Sequence, residues 1–241
     1  MKKDISIQLG SYSINLITNG AENYDNIVLC FHGFNGDKWG DAYSGLKKRL
    51  DNSLVASFDS CGHGDSMVSS EDMRLNLILE EIDAVVNYFK EVEQSKPLIF
   101  VACSYGAYRV MQYLIKFRPN IDKIIYVNPA FKMLTLLENL KEFKYSELQE
   151  NQMVAMKSSL NKFIKKAFLD DLYNNGLYSE VYDINYNTQI IVGRQDSLIP
   201  FEDTLEIAKK YNYNINYVDD EHCFMNKENW NVVADIIKEH K

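Results

Sequence analysis

The sequence contains no apolar run long enough to cross a membrane. A transmembrane helix needs about 18 consecutive apolar residues, and no stretch of that kind occurs among the 241 residues. The first residues, MKKDIS, also lack the apolar core of a secretory signal. We therefore expect a cytoplasmic protein with no membrane span.

Cysteine is scarce, and its spacing is not that of a metal or redox site. The four cysteines form no C-x-x-C pair and no zinc-like pattern. In a reducing cytosol such residues remain free thiols. No other motif for a metal or redox cofactor is present, so we expect no cofactor. The cysteines are Cys30, Cys61, Cys103 and Cys223.

Positive charge is in the minority. Lys and Arg together number 26 against 34 Asp and Glu, which gives a net charge of −8. Nucleic acids carry a dense row of phosphates that such a surface repels. The charge balance therefore argues against a nucleic-acid partner, and we expect a small-molecule substrate.

The order of the apolar patterns predicts an α/β fold. An alternating hairpin pattern at 5–17 is followed by short continuous apolar runs, which suit strands buried on both faces of a parallel sheet. Helical periodicity fills the intervals between them. We predict one domain with a mainly parallel, mixed sheet flanked by helices. The runs lie at 27–31, 98–103, 123–128 and 189–192, and the helices at 73–92, 105–117, 202–211 and 227–241.

The alternation of strands and helices breaks between residues 131 and 183. This segment is rich in Leu, Met, Phe and Tyr, and its pattern is helical, with no strand of comparable strength. We predict a helical lid inserted into the single domain of residues 1–241. Its apolar faces are expected to form part of a substrate pocket. The alternative is that they only bury the insertion against the domain.

A serine stands where a predicted buried strand turns into a helix. The motif A-C-S-Y-G at 102–106 follows the apolar run and opens the helix that begins at Tyr105. Such a turn exposes the serine hydroxyl at the carboxyl edge of the sheet, and the helix N-terminus favours negative charge there. We interpret Ser104 as a nucleophile. The alternative role is a helix cap.

Four histidines are candidates for the base that activates this serine. His240 is next to the end of the sequence, where helices fray, and His32 and His63 lie in loops after early strands. His222 follows the strand-like stretch 215–218 and precedes the last helix, so parallel strands would bring it to the same sheet edge as Ser104. We predict His222 as the base. Otherwise it is a loop residue paired with its acidic neighbours.

A carboxylate is needed to orient the base and to stabilise its protonated form. Asp196 follows the run 189–192 at the end of a predicted strand, and the chain order Ser104, Asp196, His222 is one in which such triads occur. Asp183 and Asp219 are competitors, and an Asp after a strand also caps helices. We predict Asp196 as the orienting acid.

An oxyanion needs hydrogen-bond donors, and backbone N–H groups supply them without a particular side chain. The loop H-G-F-N-G at 32–36 follows the run 27–31. We assign the oxyanion hole to the backbone N–H groups of Phe34 and Tyr105. His32 is then a packing and hydrogen-bonding residue of the loop.

Five pieces of the sequence, in this order, resemble the α/β-hydrolase superfamily over nearly the whole chain. The pieces at 62–66 and 222–224 are most similar to small-lid carboxylesterases, of the cinnamoyl or feruloyl esterase and monoacylglycerol lipase types. The chain departs from that group at Ala102, where Gly is usual, and at Tyr105 and Tyr108. The pieces are F-H-G-F at 31–34, F-D-S-C-G-H-G-D-S at 58–66, C-S-Y-G at 103–106, G-R-Q-D at 193–196 and His222.

The resemblance implies hydrolysis of a carboxylic ester through an acyl-serine intermediate. An aminopeptidase, amidase, thioesterase or lyase on the same triad is an alternative, and an aminopeptidase would use lid carboxylates to hold the substrate amine. A catalytically silent ligand-binding module is a further alternative, because a fold does not fix a function. The lid carboxylates are Glu138, Glu142, Glu147 and Asp170.

Overall fold

A computed structural model describes residues 2–140, 143–156, 162–176 and 184–239. The strands are β1 (Lys2–Leu9), β2 (Tyr12–Asn19), β3 (Asn26–Phe31), β4 (Ser53–Phe58), β5 (Leu98–Cys103), β6 (Lys123–Val127), β7 (Met153–Ala155), β8 (Phe163–Lys165), β9 (Thr188–Gly193) and β10 (Asn214–Val218). The α-helices are α1 (Asp41–Leu46), α2 (Leu75–Val92), α3 (Tyr105–Phe117), α4 (Met133–Asn139), α5 (Lys166–Asn174), α6 (Phe201–Tyr211) and α7 (Trp230–Lys238). Short 3₁₀ turns cover Ser70–Asp72, Tyr145–Glu147 and Lys227–Asn229.

Eight strands form one sheet in the order β1-β2-β4-β3-β5-β6-β9-β10. The strands from β4 to β10 in this order are parallel, and β1 and β2 add an antiparallel edge. The apolar runs become the central strands because each has helices on both sides, and every residue of β3 is buried. The predicted fold class, a mainly parallel mixed sheet flanked by helices, is confirmed.

Two apolar cores lie on opposite faces of this sheet. Alternate residues of each strand point to opposite faces, so Leu29 and Phe31 join the core under α2 and α3 while Val28 joins the core under α1 and α7. Parallel strands bring all their carboxyl ends to one edge, and the loops that follow β3, β5, β6, β9 and β10 meet there. That edge carries the candidate site.

The chain between β6 and β9 is less regular than the sequence predicted. Helices α4 and α5 form within it, but Met153–Ala155 and Phe163–Lys165 pair as a small antiparallel hairpin. Strands of three residues are too short to show a period of two in the sequence. Residues 141–142, 157–161 and 177–183 of the predicted lid lie outside the described residues.

Among the described residues, no helix combines the length and the apolar character that crossing a bilayer requires.

Candidate active site

Ser104 occupies a sharp turn between β5 and α3. Its φ of 51° and ψ of −120° lie in a region that residues with a side chain seldom adopt. A strained residue of this kind costs about 1–3 kcal/mol and persists only where its surroundings impose it. The Ser104 amide donates to the carbonyl of Val127 at 3.0 Å, and its carbonyl accepts from the amides of Ala107 and Ala130. These bonds fix the turn and hold the hydroxyl at the sheet edge.

Gly106 allows the helix behind Ser104 to approach strand β3. A Cβ atom on Gly106 would lie 2.6 Å from the carbonyl oxygen of Phe31 and 3.0 Å from that of His32. Real Cβ atoms do not come so close to backbone oxygen, so only glycine fits this contact. The start of α3 is thereby seated beside the loop at 32–36.

Three side chains from distant parts of the chain meet at this edge. The Ser104 Oγ lies 3.0 Å from His222 Nε2, and His222 Nδ1 lies 2.8 Å from the Asp196 Oδ2. Because the carboxylate only accepts, Nδ1 carries the proton of the neutral imidazole and Nε2 is free to accept from the serine hydroxyl. This arrangement can transfer the serine proton to the imidazole.

Asp196 is held rigidly in this relay. Its side chain is 3% exposed, and its second carboxylate oxygen accepts hydrogen bonds from the amides of Leu198 and Ile199 at 2.9 and 3.1 Å. Both oxygens therefore have donors, which satisfies a nearly buried charge. The turn after β9 thus fixes the carboxylate that faces His222.

Asn128 ties the loops of Asp196 and His222 together, and sequence reasoning missed it. Its side-chain oxygen accepts from the Gly193 amide at 2.7 Å, and its side-chain nitrogen donates to the carbonyls of Glu221 and His222. Asn128 is 2% exposed and has φ 43°, a conformation that Asn tolerates better than most residues. An Asn after a strand is too common in sequences to have revealed this role.

The His222 loop has a second internal support in Asp220. This carboxylate accepts from the Asn229 side chain at 2.8 Å and from the amides of Glu221 and Asn226. Burial disfavours its charge, but these hydrogen bonds hold the pKa of Asp220 below its usual value. The charged form stabilises the tight loop that carries His222.

The loop after β3 packs directly against the serine. A Cβ atom built on Gly33 would lie 3.4 Å from the Ser104 Cβ. Within the loop, His32 Nδ1 donates to the Gly33 carbonyl at 2.8 Å, and His32 Nε2 accepts from the Ser60 amide. Burial, and then the charge of Arg109, hold the pKa of His32 well below its usual value, so the ring stays neutral. His32 is therefore a structural part of this loop.

The predicted oxyanion donors flank Ser104. Phe34 is 8% exposed and lines the same cavity as Ser104, and Tyr105 is the first residue of α3. The first amides of a helix have no acceptor within the helix, so the Tyr105 N–H is available to a ligand on geometric grounds. The Phe34 and Tyr105 rings also contact each other edge to face, with centroids 5.4 Å apart.

The competing candidates lie elsewhere. Asp219 is exposed and pairs with Arg194 at 3.3 Å. His63 is buried, and its Nδ1 lies 2.8 Å from the Cys61 carbonyl. Asp183 and His240 lie outside the described residues. Within those ranges, no group of three or more His, Cys, Asp or Glu side chains is arranged to hold a metal ion.

A cavity of about 410 Å³ opens beside Ser104 and His222. Its walls are mostly apolar, and helix α4 of the region between β6 and β9 supplies one of them. The charged residues in the lining are Asp37 and Asp41, both acidic. Of the predicted lid carboxylates, Glu138, Glu147 and Asp170 are not among the lining residues, and Glu142 lies outside the described residues. The α4 wall consists of Met133, Leu136, Leu137 and Leu140.

Comparison with known proteins gives both a family and a fold. The model of the family described as serine aminopeptidase, S33, matches residues 22–177. No curated protein sequence matches the chain significantly.

Several solved structures share the fold. Est1E from Butyrivibrio proteoclasticus with bound ferulic acid has a TM-score of 0.81 at 20% identity, with 98% of each chain covered. Mouse alpha/beta hydrolase domain-containing protein 10 has a TM-score of 0.75 at 13% identity, covering 98% of this chain and 97% of that one. The Pyrococcus furiosus esterase Pf2001 has a TM-score of 0.72 at 19% identity, covering 100% and 91%. These likenesses confirm the predicted fold.

Proposed function

Because the chain belongs to the serine aminopeptidase S33 family of α/β-hydrolases, we propose that it cleaves carboxylic esters through an acyl-serine intermediate. The observation that carries the proposal is the continuous relay from the Ser104 hydroxyl through His222 to Asp196, with contacts of 3.0 and 2.8 Å. The relay lies at the mouth of a largely apolar cavity, and this supports a hydrolytic reaction on a small molecule.

The proposed reaction has two halves. Ser104 Oγ attacks the ester carbonyl while His222 Nε2 takes its proton, and the imidazolium then protonates the departing alkoxide. In the second half His222 removes a proton from water, the hydroxide attacks the acyl-serine, and the carboxylic acid leaves as the serine regains its proton. Asp196 holds the imidazole tautomer throughout. The N–H groups of Phe34 and Tyr105 stabilise the oxyanion in both halves.

The lining of the cavity favours a neutral substrate. Apolar side chains of α4 suit an aliphatic or aromatic group, and the charged lining residues, Asp37 and Asp41, repel an anion. Esters that carry a carboxylate or phosphate near the scissile bond should therefore be poorer substrates than uncharged esters of the same size.

The proposal is tested with a fluorophosphonate probe and short p-nitrophenyl esters. Wild-type protein is expected to be labelled and to hydrolyse the esters, whereas Ser104→Ala loses both. Ser44→Ala serves as the matched control and retains both, because Ser44 does not line the cavity and its hydroxyl donates to the Asp41 carbonyl within α1. Equal labelling of Ser104→Ala and wild type would show that another residue is the nucleophile.

An aminopeptidase is the second candidate, and one observation favours it. Asp37 and Asp41 line the cavity near Ser104, and a carboxylate there can hold a substrate ammonium group. Asp41 already pairs with Lys227 at 2.8 Å, which weakens this interpretation. Aminoacyl p-nitroanilides compared with acyl p-nitrophenyl esters separate the two activities. Faster cleavage of the anilides would replace the ester proposal.

A further inference from the structure

A lysine between β7 and β8 reaches the loop that packs against Ser104. Lys162 Nζ donates to the carbonyl oxygen of Phe34 at 2.7 Å and lies 4.5 Å from the centre of the Phe34 ring. Phe34 is one of the two proposed oxyanion donors. A residue far along the chain thus contacts the backbone of the loop that would bind the oxyanion.

The hairpin of β7 and β8 holds Lys162 in this place. The Lys162 carbonyl accepts from the Met156 amide at 2.9 Å, and Ile164 in β8 is fully buried. The next residue attaches to the 3₁₀ turn at Ser70–Asp72, where the Phe163 amide donates to the Ser70 Oγ at 3.3 Å. The backbone around Lys162 is therefore fixed, and its side chain is directed at the loop.

Three successive carbonyls of this loop, those of His32, Gly33 and Phe34, each accept a hydrogen bond from a side chain. Lys162 donates to the third. Arg109 donates to the His32 carbonyl at 2.5 Å, and His32 donates from Nδ1 to the Gly33 carbonyl at 2.8 Å. In a planar trans peptide the C=O of one residue and the N–H of the next residue point in opposite directions. Binding these carbonyls therefore fixes the directions of the amides at 33, 34 and 35.

The environment of Lys162 is electropositive. Arg109 is 1% exposed, and in the described part of the chain neither Arg109 nor Lys162 forms an ion pair with a carboxylate. Burial, and then the charge of Arg109, lower the pKa of Lys162 to about 8. A desolvated cation without a counter-ion is unfavourable for stability, so its retention needs another explanation. The hydrogen bond from Lys162 to the Phe34 carbonyl supplies one.

We propose that Lys162 is a positioning residue that holds the peptide between Phe34 and Asn35. It thereby couples the hairpin of β7 and β8 to the oxyanion loop, residues 32–36. This rests on the proposed function. Without Lys162 the peptide between Phe34 and Asn35 loses its donor and can rotate. The preceding peptide, which carries the Phe34 N–H and whose Gly33 carbonyl His32 binds, is then held from one side only and is less well aimed at the oxyanion. Losing an oxyanion donor outright costs about 10²–10³ in rate. A misaimed donor should cost less, about tenfold.

The test compares Lys162→Met with Lys165→Met. Methionine keeps the length of the side chain and removes its charge and donors, and Lys165 lies on the same hairpin but points to Asp72 at the surface. We expect Lys162→Met to lower kcat about tenfold, with KM unchanged because Lys162 does not line the cavity. Its thermal midpoint should change little, because the gain from removing an unpaired cation opposes the cost of leaving the Phe34 carbonyl without its donor. Lys165→Met should keep kcat.

A pH profile gives a second readout, which a purely structural lysine would not change. As pH rises through about 8, the Lys162 ammonium becomes a neutral amine. The amine still donates to the Phe34 carbonyl, but more weakly than the charged group, so kcat of the wild type should fall while that of Lys162→Met stays level. Of the groups around Lys162 and Arg109, Glu81 has a pKa that burial raises to about 7, and its titration is common to wild type and Lys162→Met. The remaining groups do not titrate near pH 8. Arg109 stays charged, His32 and His63 stay neutral because burial lowers the pKa of each, and Asp72 is bound to Lys165.

Each outcome decides between the two proposals. Equal kcat in Lys162→Met and Lys165→Met, or a lower kcat only in step with lower stability, overturns the role of Lys162 and leaves the proposed function intact. If Lys162→Met does not fold, Lys162→Arg should restore both folding and kcat, and its kcat should not fall near pH 8. A wild-type pH profile without a fall in kcat near pH 8 overturns the role of Lys162. A wild type that neither reacts with the probe nor hydrolyses esters overturns both.

Discussion

The carboxyl edge of the sheet and the region between β6 and β9 are built in different ways. At the edge, buried hydrogen bonds join one loop to the next, and Asn128 and Asp196 are 2% and 3% exposed. The region between β6 and β9 packs apolar side chains such as Leu137 and Ile164 into the core, and several of its polar contacts with the rest of the domain are ion pairs near the surface. These are Arg74–Asp171, Lys165–Asp72 and Lys132–Glu206.

The two regions therefore govern different properties. The edge sets the geometry of the proposed reaction, and the region between β6 and β9 shapes the pocket. Buried hydrogen bonds are costly to break, because each lost partner leaves a desolvated polar group. Surface ion pairs contribute little and are weakened by salt. The edge should therefore tolerate few substitutions, whereas the wall that α4 contributes is open to change. Lys162 belongs to both, since its hydrogen bond to Phe34 joins the region between β6 and β9 to the edge.

The largest effect is expected from Asn128→Ala. The change removes the acceptor of the Gly193 amide and the donor to the Glu221 and His222 carbonyls. Leaving such groups unsatisfied costs about 1–3 kcal/mol of stability. A displacement of the base by about 1 Å lowers the rate about 10²-fold. Ester hydrolysis and urea denaturation measure the two effects.

Two controls isolate the amide of Asn128. Asn128→Gly also lacks the amide but tolerates the positive φ, so it should lose as much activity while losing less stability. Asn216→Ala removes an amide from β10 that donates to the Gln189 side chain at 3.0 Å, and it should keep full activity. Normal activity in Asn128→Gly would show that the two loops hold their positions without this residue.

A smaller effect, confined to stability, is expected from Glu81→Gln. Glu81 in α2 is 1% exposed and accepts from the Cys61 amide and the Ser60 hydroxyl, which fixes the loop after β4. Burial raises its pKa from 4.5 to about 7. Folding therefore favours the protonated form, and the stability that this form contributes is lost as pH rises from about 4.5 through about 7.

The size of the Glu81 effect follows from that shift. The free energy of unfolding of the wild type should fall by at most about 3 kcal/mol over this range, and Glu81→Gln should abolish the fall. Urea titrations at pH 5 and pH 8 measure the difference. Glu80→Gln, an exposed change on the same helix, should leave the fall in place. An unchanged pH dependence in Glu81→Gln would mean that Glu81 is charged throughout.

The smallest effect is expected from Lys132→Met, in the region between β6 and β9. Lys132 precedes α4 and pairs with Asp203 and Glu206 of α6 at 3.0 and 2.7 Å. Partly exposed pairs of this kind contribute about 1 kcal/mol or less, so the thermal midpoint should fall by about 2–4 °C at most. Lys209→Met is the control on α6. A larger loss would show that ion pairs hold this region as firmly as the buried bonds hold the edge.

The sequence predicted those parts of the molecule that depend on local pattern. The apolar runs at 27–31, 98–103, 123–128 and 189–192 became central strands because each is long enough and apolar enough to be buried on both faces. Ser104, Asp196 and His222 could be singled out because each follows a strand directly, and parallel strands carry such residues to one edge.

The parts that the sequence did not predict depend on contacts between distant residues. Asn128, Arg109 and Lys162 have no distinctive neighbours in the chain, and their importance arises only when the backbone groups of other loops surround them. The hairpin of β7 and β8 was missed for another reason. Each of its strands has three residues, and its stability comes from packing rather than from intrinsic preference.

The backbone conformation of Ser104 has an evolutionary consequence. Glycine adopts a φ of 51° without the steric penalty that serine incurs, so a mutation to glycine would relax the turn while removing the hydroxyl. Selection for stability and selection for the hydroxyl therefore oppose each other at this single position. Under the proposed function, a gene copy released from selection for activity gains stability when this serine changes to glycine.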